Sequence, residues 1–475
     1  MIDFFDTLSE IFLYGIFIYS ISIILAYLLL AIVSVFESIK YIRKNSFIDY
    51  DSIVTSPLSP TISIIAPAFN EGHTIIENVR SLISLRYNFY EVIVVNDGST
   101  DDSLQRLINA YELVQVDIKI TEELVTQPVR GIYKSRNPVF NKITVVDKEN
   151  GGKADALNVG LNVAQNSLVA CIDVDCILEQ DSLLKMVKPF LEDEYNQVIA
   201  AGGVVRIANS CVIEDGRLVK INLPDKFLPR MQTLEYIRAF LLGRMAWSRL
   251  NGLLLISGAF GLFDKKIAIA CGGYNIKTVG EDMELVVRMR VYLHERKREY
   301  KVVYIPDPLC WTEAPESFKI LNRQRNRWTR GTAETLWLHR KIFFNPKFGS
   351  LGILSYPYCF FYEWLAPIIE FFGIINFALL AFLGYVNWDS FLILLALVYT
   401  FAIFFSLLAI LTEELTYHQY KKKTDMFKLI LTALQEPFLF HPFGTWIAIM
   451  GNIDLMTGKK NWGVMTRTGF NKKEK

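Results

Sequence analysis

An uncharged stretch from Ile11 to Phe36 constrains the fold of this chain more than any other feature of its sequence. As an α-helix, this stretch would be about 39 Å long, enough to cross the ~30 Å hydrocarbon core of a bilayer with some tilt. A cleaved signal peptide would be shorter, and a basic region would precede it. Here the basic residues Lys40, Arg43 and Lys44 follow the stretch instead. By the positive-inside rule, residues 1–44 are therefore predicted to be a transmembrane segment whose C-terminal end faces the cytosol.

Two further apolar stretches predict a pair of membrane crossings, one from Ile353 to Val386 and one from Phe391 to Leu411. The first contains Glu363 and Glu370, whose carboxylates are costly against lipid. We therefore expect these two side chains to face protein or a water-filled path. The alternative for this stretch is an interfacial first half, residues 351–366, followed by a shorter crossing.

Two other segments are predicted to lie at the membrane surface rather than across it. The segment from Phe427 to Met450 is interrupted by Glu436, Pro437 and Pro442. A full crossing would place the basic tail outside, against the positive-inside rule, so a broken interfacial or re-entrant segment is predicted. Residues 226–250 carry apolar side chains at helical spacing and fit an interfacial helix, although a buried core helix would have the same pattern.

Composition excludes two kinds of binding function. The chain carries 50 basic and 49 acidic residues, a net charge of +1, and so has no electrostatic basis for binding nucleic acid. Its six cysteines form no Cys-x-x-Cys pair and have no accompanying histidine cluster. This pattern favours free thiols in a reducing compartment over a zinc site.

Short apolar runs that alternate with helices predict an α/β domain with a parallel sheet and right-handed crossovers. The runs are Ile62–Ala66, Val92–Val95 and Leu168–Ile172. Asp97 follows the second run, and Asp173 and Asp175 follow the third. Ligands in such sheets bind beyond the carboxyl ends of the strands. The three carboxylates are therefore expected to lie together at a binding edge of the sheet.

The side chains at this edge suit a diphosphate and a metal ion. The oxygens of Asp173 and Asp175 can hold Mg²⁺ or Mn²⁺ while a diphosphate fills other coordination positions. Asp97 can accept hydrogen bonds from a base or a ribose, and Lys153, which follows two glycines, supplies a cation for phosphate. Taken alone, each feature has a simpler explanation: a turn with a helix cap, a chance Asp-x-Asp pair, and a solvated lysine.

Two later motifs add carboxylates and an aromatic ring. Gly280-Glu281-Asp282 precedes a periodic helix, where Asp282 could equally be a helix cap. Gln324, Arg327 and Trp328 share one helix face through their i, i+3, i+4 spacing. A packed tryptophan beside a solvated arginine is the alternative there.

The order of these motifs resembles that of the processive membrane glycosyltransferases of family 2, which include cellulose, chitin, hyaluronan, poly-N-acetylglucosamine and mixed-linkage β-glucan synthases. Between residues 60 and 340 the chain carries Pro-x-x-Asn-Glu, Asn-Asp-Gly-Ser, Gly-Gly-Lys-Ala, Asp-x-Asp, Ser-Gly-Ala, Gly-Glu-Asp and Gln-x-x-Arg-Trp in succession. It departs from cellulose synthases in lacking their Phe-x-Cys-Gly run and in having Gly-Glu-Asp where they have Thr-Glu-Asp.

The resemblance implies a Rossmann-like GT-A domain, with Asp282 as the catalytic base and Asp175 as the ligand of Mg²⁺ or Mn²⁺. It implies that the UDP-sugar donor is bound by Pro67, Glu71, Asp97, Lys153, Asp173 and Arg327. It implies that the acceptor sugar is bound by Ser257, Gly258, Glu281, Gln324 and Trp328.

The resemblance also implies a division of the chain and an activity. The predicted regions are a membrane helix at 1–44, a nucleotide-sugar-binding half at 45–225, an acceptor-side half with interfacial helices at 226–345, and a membrane or interfacial region with a basic tail at 346–475. The expected activity is inverting, processive polymerisation of UDP-glucose into a β-glucan, which crosses the plasma membrane from a cytosolic catalytic domain. Accessory secretion subunits are possible further partners. The alternatives are a synthase of poly-N-acetylglucosamine or chitin type that uses UDP-N-acetylglucosamine, and a non-processive enzyme with a lipid acceptor.

Overall fold

The computed structural model describes residues 2–45, 48–195 and 197–459. Its centre is a ten-stranded mixed sheet, and two further strands form a separate two-stranded sheet. The strands are β1 (Ile62–Ala68), β2 (Tyr90–Asp97), β3 (Leu113–Val116), β4 (Val129–Ser135), β5 (Ile143–Lys148), β6 (Leu168–Ile172), β7 (Ile177–Leu178), β8 (Val198–Ile207), β9 (Val212–Glu214), β10 (Arg217–Lys220), β11 (Phe260–Asp264) and β12 (Lys301–Thr312).

The strand order in the large sheet is β3-β4-β5-β2-β1-β6-β11-β8-β12-β7. β1 pairs in parallel with β2 and with β6, so the three predicted strands are confirmed as neighbours. The parallel arrangement predicted from these strands is confirmed, but the complete sheet is mixed, because β11 runs antiparallel to both β6 and β8, and β4 runs antiparallel to β5. β11 starts opposite Ile172, the last residue of β6. The chain therefore reaches the carboxyl edge before β11 begins, and the strand has to run back.

Helices cover the sheet and extend beyond it, and α5 (Lys153–Val163) packs against β1 and β2. The helices are α1 (Ile2–Asn45), α2 (Tyr50–Thr55), α3 (Ile75–Ile83), α4 (Ser103–Ala110), α5 (Lys153–Val163), α6 (Ser182–Leu191), α7 (Phe227–Leu242), α8 (Arg244–Arg249), α9 (Lys265–Ala270), α10 (Glu281–Glu295), α11 (Phe318–Leu338), α12 (Tyr356–Tyr358), α13 (Ala366–Leu383), α14 (Trp388–Thr416), α15 (Lys423–Leu439) and α16 (His441–Met456).

Among the residues that the structure describes, three helices are long and apolar enough to cross a membrane, judged by length and composition. They are Tyr14–Asn45, Leu351–Leu383 and Trp388–Thr416. All three predicted apolar stretches are thus confirmed as helical. The chain has the helices of a membrane-associated protein, and the direction in which each would cross stays a prediction.

The first half of the second candidate span packs against the soluble domain. Leu351, Tyr356 and Cys359 are buried in one cluster with Met283 of α10 and Leu336 of α11. The Tyr356 hydroxyl donates a hydrogen bond to the Leu336 carbonyl. Two π-helical turns occur in this part of the helix, before α13 begins. This packing favours the alternative of an interfacial first half followed by a shorter crossing.

The segment 226–250 forms α7 and α8, which meet at Gly243. α7 lies between β8 of the sheet and the long helices α1 and α14. Its residues Met231, Leu234 and Ile237 are fully buried. Of the two predictions for this segment, the buried helix describes α7 better, because protein covers it on both sides.

The C-terminal segment is broken, as predicted, with α15 and α16 meeting at Phe440. α16 packs on α11 and on α13. The Thr445 hydroxyl donates to Glu370 Oε2 at 2.9 Å, and His441 Nε2 lies 3.0 Å from the same oxygen. Glu370 therefore faces protein, as expected for a carboxylate in an apolar helix. The basic tail from residue 460 onward lies outside the described residues.

Candidate active site

The predicted site residues converge at the carboxyl edge of the central strands. Asp97 is the last residue of β2, and Asp173 directly follows β6. Lys153 is the first residue of α5, and Glu281 is the first residue of α10. Because β1, β2 and β6 are parallel neighbours, their carboxyl ends lie side by side, which is where α/β sheets bind ligands.

A buried ammonium group holds Asp97 in place. Lys148 Nζ, on a side chain that is 0% exposed, lies 2.6 Å from Asp97 Oδ1 and 2.7 Å from Asp155 Oδ2. The N–H groups of Gly151 and Gly152 donate to the two oxygens of Asp97 at 2.9 and 2.8 Å. Asp97 therefore joins β2 to β5 and shapes the glycine loop before α5. Its contact with a donor nucleotide stays a prediction.

We expect Lys148→Met to lower the free energy of unfolding of the soluble domain by about 3–5 kcal/mol, because Asp97 and Asp155 would remain as buried carboxylates without their shared cation. Denaturant unfolding of the purified protein measures this change. Lys119→Met, at an exposed position, is the control and should change stability by less than about 0.5 kcal/mol. A Lys148→Met effect as small as that of the control would contradict the role given to the buried pair.

Lys153 lies among carboxylates from two different motifs. Its Nζ is 2.5 Å from Asp173 Oδ1 and 3.5 Å from Glu281 Oε1. Burial alone would lower the pKa of Lys153, but the charges of these carboxylates and of Asp282 raise it above its ordinary value. Burial raises the pKa of Glu281, although Lys153 acts in the opposite direction. The structure thus brings a charged ammonium group and three acidic residues together.

The loop before β11 holds the carboxylate of Asp282. The Gly258 N–H donates to Asp282 Oδ2 at 3.0 Å, and the Met283 N–H donates to Oδ1 at 2.8 Å. A Cβ atom at Gly258 would lie 2.9 Å from Lys153 Nζ and 3.4 Å from Asp282 Oδ2. A side chain at this position would therefore displace the ammonium group of Lys153 from its place in the cluster. Ser257, the residue before it, accepts a long hydrogen bond of 3.4 Å from the Ala259 N–H.

Asp173 and Asp175 could bind a divalent cation, but these two carboxylates alone would not complete its coordination shell. Asp175 is 5% exposed, and the Asp173 side chain is 28% exposed. Within the described ranges, no three His, Cys, Asp or Glu side chains group closely enough to hold a metal ion. Mg²⁺ is usually bound through one or two carboxylates plus water and substrate phosphates. The two aspartates therefore fit a cation that is completed by a nucleotide diphosphate.

The loop before α10 crosses α11 at a contact between two glycines. A Cβ atom at Gly280 would lie 2.7 Å from Gly331 Cα, so the two backbones touch. Glu334 of α11 stabilises this contact, because its Oε2 accepts a hydrogen bond from the Thr278 hydroxyl at 2.7 Å. Asp282 is thereby fixed relative to the helix that carries the Gln-x-x-Arg-Trp motif.

We expect Gly331→Ala to destabilise the protein by about 1–3 kcal/mol and to lower turnover, because the added methyl group pushes the loop with Asp282 away from α11. Thermal unfolding and UDP release measure the two effects. Gly444→Ala in α16 is the matched control, since a Cβ there would meet no atom within 4 Å. Unchanged unfolding and turnover in Gly331→Ala would show that the crossing tolerates a side chain.

Gln324, Arg327 and Trp328 lie on α11 with the predicted helical spacing. Trp328 is 40% exposed, so the alternative of a packed tryptophan beside a solvated arginine does not describe it. Gln324 Oε1 is buried and accepts no hydrogen bond from any residue that the structure describes. A buried polar atom of this kind needs an explanation, and a bound ligand is one. The charge of Arg327 acts on Glu281, so the two motifs meet.

Pro67 and Glu71 lie at the carboxyl end of β1 and in the loop that follows it. The Glu71 N–H donates to Ser103 Oγ at 3.0 Å, and the Thr74 hydroxyl donates to Glu71 Oε2 at 3.2 Å. Asn70 adopts a positive φ of 56° in this turn. The loop is thus fixed to the start of α4 at the edge where Asp97 also lies.

A cavity of about 840 Å³ lies beside α10, and Tyr274, Glu284, Arg288, Tyr292 and His339 contribute to its lining, whereas none of the predicted site residues does. Glu284 Oε2 lies 2.7 Å from Arg288 NH2, and Glu284 Oε1 lies 3.0 Å from His339 Nε2. These polar groups already satisfy one another. The cluster at the sheet edge is therefore the better candidate for chemistry.

The motifs did not indicate Lys148, Glu235 or Glu334, although each holds a predicted site residue or its neighbour in place. Lys148 ends a buried strand, and a charged residue in that position is a signal that the sequence does contain. Glu235, which pairs with Arg325, and Glu334 are ordinary helix-surface glutamates in the sequence. Only the tertiary structure distinguishes them.

Comparison with known protein families gives two matches. The family described as "Glycosyl transferase family 2" matches residues 63–249. The family described as "Glycosyl transferase family group 2" matches residues 168–411, just over half of the chain. Both matched ranges contain Asp173 and Asp175, and the second also contains Asp282 and the Gln-x-x-Arg-Trp motif.

Two curated relatives are poly-β-1,6-N-acetyl-D-glucosamine synthases. The one from Staphylococcus aureus (strain COL) is 32% identical over 278 residues, which is 58% of this chain and 55% of that protein. The one from Staphylococcus epidermidis is 28% identical over 309 residues, which is 65% of this chain and 63% of that protein. The chain thus spans little more than half the length of these relatives.

A solved mannosyltransferase from Pyrobaculum calidifontis, in complex with GDP-Man and Mn²⁺, is 16% identical with a TM-score of 0.48, and the match covers 92% of this chain and 100% of that one. The family match over just over half of the length agrees with the motif order and with the carboxylate-lined sheet edge. The chain belongs to the family 2 glycosyltransferases.

Proposed function

We propose that the protein transfers a sugar from a UDP-sugar to a growing β-linked glycan, with inversion at the anomeric carbon. The main observation in support of this proposal is that Lys153, Asp173 and Asp282 lie close together at the carboxyl edge of the sheet. An inverting transfer is a single in-line displacement. It needs a base for the acceptor hydroxyl and positive charge for the departing diphosphate, and this cluster offers both within one small region.

In this mechanism Asp282 accepts the proton of the acceptor hydroxyl as the hydroxyl oxygen attacks the anomeric carbon. The hydrogen bond from Gly258 holds the carboxylate in place for this step. Lys153 and Arg327 stabilise the negative charge that develops on UDP. The exposed face of Trp328 packs against the acceptor sugar. When bound at Asp173 and Asp175, Mg²⁺ or Mn²⁺ supplies further charge neutralisation of the diphosphate.

We place UDP-N-acetylglucosamine before UDP-glucose as the donor. Both Staphylococcus relatives are named as poly-β-1,6-N-acetyl-D-glucosamine synthases. Those comparisons give no support to the glucose donor and β-glucan product that the sequence led us to expect. The relatives therefore favour the alternative of an N-acetylglucosamine polymer, and its β-1,6 linkage is part of the proposal.

We also propose that the enzyme is a multi-pass membrane protein with its catalytic domain in the cytosol. Lys44 lies in the last turn of the first candidate span, and Lys421 follows the end of the third. Both ends are the ones that the positive-inside rule assigns to the cytosol. The acceptor helix α11 packs on α16, and Asn326 Nδ2 donates to Asp454 Oδ2 at 2.9 Å. This contact links the acceptor side of the site to the membrane region, as expected for an enzyme that passes its product into the bilayer.

UDP release from the purified full-length protein, with a panel of nucleotide sugars, tests this function. We expect UDP-N-acetylglucosamine to be used at least about tenfold faster than UDP-glucose, because a site that hydrogen-bonds the acetamide group discriminates against a donor that lacks it. Asp282→Asn provides the background rate. Faster release from UDP-glucose would overturn the choice of donor. A product no longer than one added sugar on a lipid would overturn polymerisation.

A further inference from the structure

One face of the Trp328 ring is covered by a charged side chain from the same helix. The Arg325 guanidinium lies over the ring, 4.2 Å from its centroid, in a cation–π contact. Arg325 NH1 and NH2 donate to the two carboxylate oxygens of Glu235, on α7, at 2.8 and 2.7 Å. A bidentate pair fixes the plane of a guanidinium group. Glu235 therefore controls the surface against which the indole ring rests.

The guanidinium has few other partners that could orient it. The Arg325 side chain is only 15% exposed, and its Nε is buried with no hydrogen-bond partner in the part of the chain that the structure describes. Its position thus depends on the carboxylate of Glu235 and on the indole ring. Arg325 covers one face of Trp328, and the residue is still 40% exposed. We therefore assign the face away from Arg325 to the sugar.

The same helix carries a second ion pair, directed toward the membrane helices. Arg238, one turn after Glu235 on α7, donates to both carboxylate oxygens of Glu436 on α15 at 3.2 and 3.1 Å. It also donates to the Ser406 hydroxyl on α14 at 2.9 Å. α7 therefore connects the aromatic ring on α11 to two helices of the membrane region through side chains one turn apart.

We propose that Glu235 and Arg325 are positioning residues that set the plane of the Trp328 ring for the acceptor glycan, and that α7 holds this ring in register with the membrane helices. This inference rests on the proposed function, in which Trp328 receives the acceptor sugar. An indole ring without the guanidinium would rotate about its two side-chain torsions. It would then present its apolar face to the sugar for only part of the time, and the acceptor would bind more weakly.

The competing explanation is an ordinary ion pair that only joins α7 to α11. Three variants separate the two explanations. Glu235→Gln removes the charge and the bidentate geometry, and Arg325→Lys keeps the charge but removes the planar group over the ring. The double exchange Glu235→Arg with Arg325→Glu restores an ion pair between the helices without any cation over Trp328. Lys226→Gln is the control, because it breaks the ion pair with Glu316 near the start of the same two helices.

The probe is a β-1,6-linked N-acetylglucosamine oligosaccharide, titrated calorimetrically into the full-length protein in detergent without donor. We expect its Kd to rise about tenfold in Glu235→Gln, Arg325→Lys and the double exchange, while UDP affinity stays within about twofold of wild type. The thermal stability should recover in the double exchange, although the oligosaccharide affinity should not. Lys226→Gln should bind the oligosaccharide as wild type does.

Recovery of oligosaccharide affinity in the double exchange would overturn the inference, because an ion pair alone would then suffice. Unchanged affinity in Arg325→Lys, with the variant folded, would overturn it as well. A wild-type protein that binds the oligosaccharide but releases no UDP from any UDP-sugar would instead refute the proposed reaction. The titration does not use the donor, so these two failures are distinguishable.

Discussion

Asp282→Asn is expected to lower the rate of sugar transfer by at least about 10²-fold, the usual loss when a general base is removed. The amide can still accept one of the two backbone hydrogen bonds that reach Asp282, from Gly258 and Met283, so the loop keeps most of its geometry. The residues assigned to UDP, such as Asp97 and Lys153, and the metal ligand Asp175 are unchanged. Turnover should therefore fall while UDP affinity, measured by calorimetry, stays near that of wild type.

A helix-capping role for Asp282 predicts a different result, a loss of about 0.5–2 kcal/mol of stability with activity retained by the folded fraction. Asp264→Asn is the matched control. Asp264 caps α9 by accepting a hydrogen bond from the Ile267 N–H at 3.0 Å, and it lies at the opposite edge of the sheet, beside Leu168. The control should lose stability only. If the folded Asp282→Asn variant still transfers sugar at near the wild-type rate, Asp282 is not the base.

Asp175→Asn is expected to remove the metal dependence of UDP binding and to lower turnover by at least about 10²-fold. The carboxamide keeps the size of the side chain but loses the charge that a hard divalent cation requires. Calorimetric titration of UDP with and without Mn²⁺ measures the binding effect. Addition of EDTA to the wild-type enzyme should reproduce the loss of activity.

Asp181→Asn is the control, because it makes the same change of charge six residues after Asp175, at the residue before α6. It should bind UDP with the wild-type response to Mn²⁺. Full turnover of the wild type in EDTA would mean that the diphosphate is stabilised by Lys153 and Arg327 alone, without a cation.

The sequence was most informative where a residue's role depends on its neighbours in the chain. The buried strands and the aspartates that follow them could be predicted, because a continuous apolar run followed by polar residues is a local pattern. The helices of the membrane region could be predicted for the same reason. The direction of β11 could not be predicted. It runs antiparallel because the preceding loop ends beside Ile172, at the carboxyl end of β6.

The partners of the side chains that support the site could not be predicted from local patterns in the sequence. Lys148 acts because Asp97 and Asp155, from different elements, come within 2.6 and 2.7 Å of its Nζ. Glu235 acts because α7 lies against α11, which no periodicity in either helix indicates. The roles of Asp282 and Trp328 came from the family resemblance rather than from the residues. The identity of the donor sugar could not be predicted. Glucose and N-acetylglucosamine differ in the substituent at C2 of the ring, and no side chain could be assigned to contact it.

The glycine crossing between Gly280 and Gly331 also matters for anyone who wishes to evolve this enzyme toward a different acceptor. Because the two segments meet through backbone atoms, the position of Asp282 relative to α11 does not depend on the side chains around Trp328. Mutant libraries that vary the surroundings of Trp328 should therefore contain many clones with an intact reaction centre. Libraries that vary positions 280 or 331 should contain few, and those two codons are best left constant.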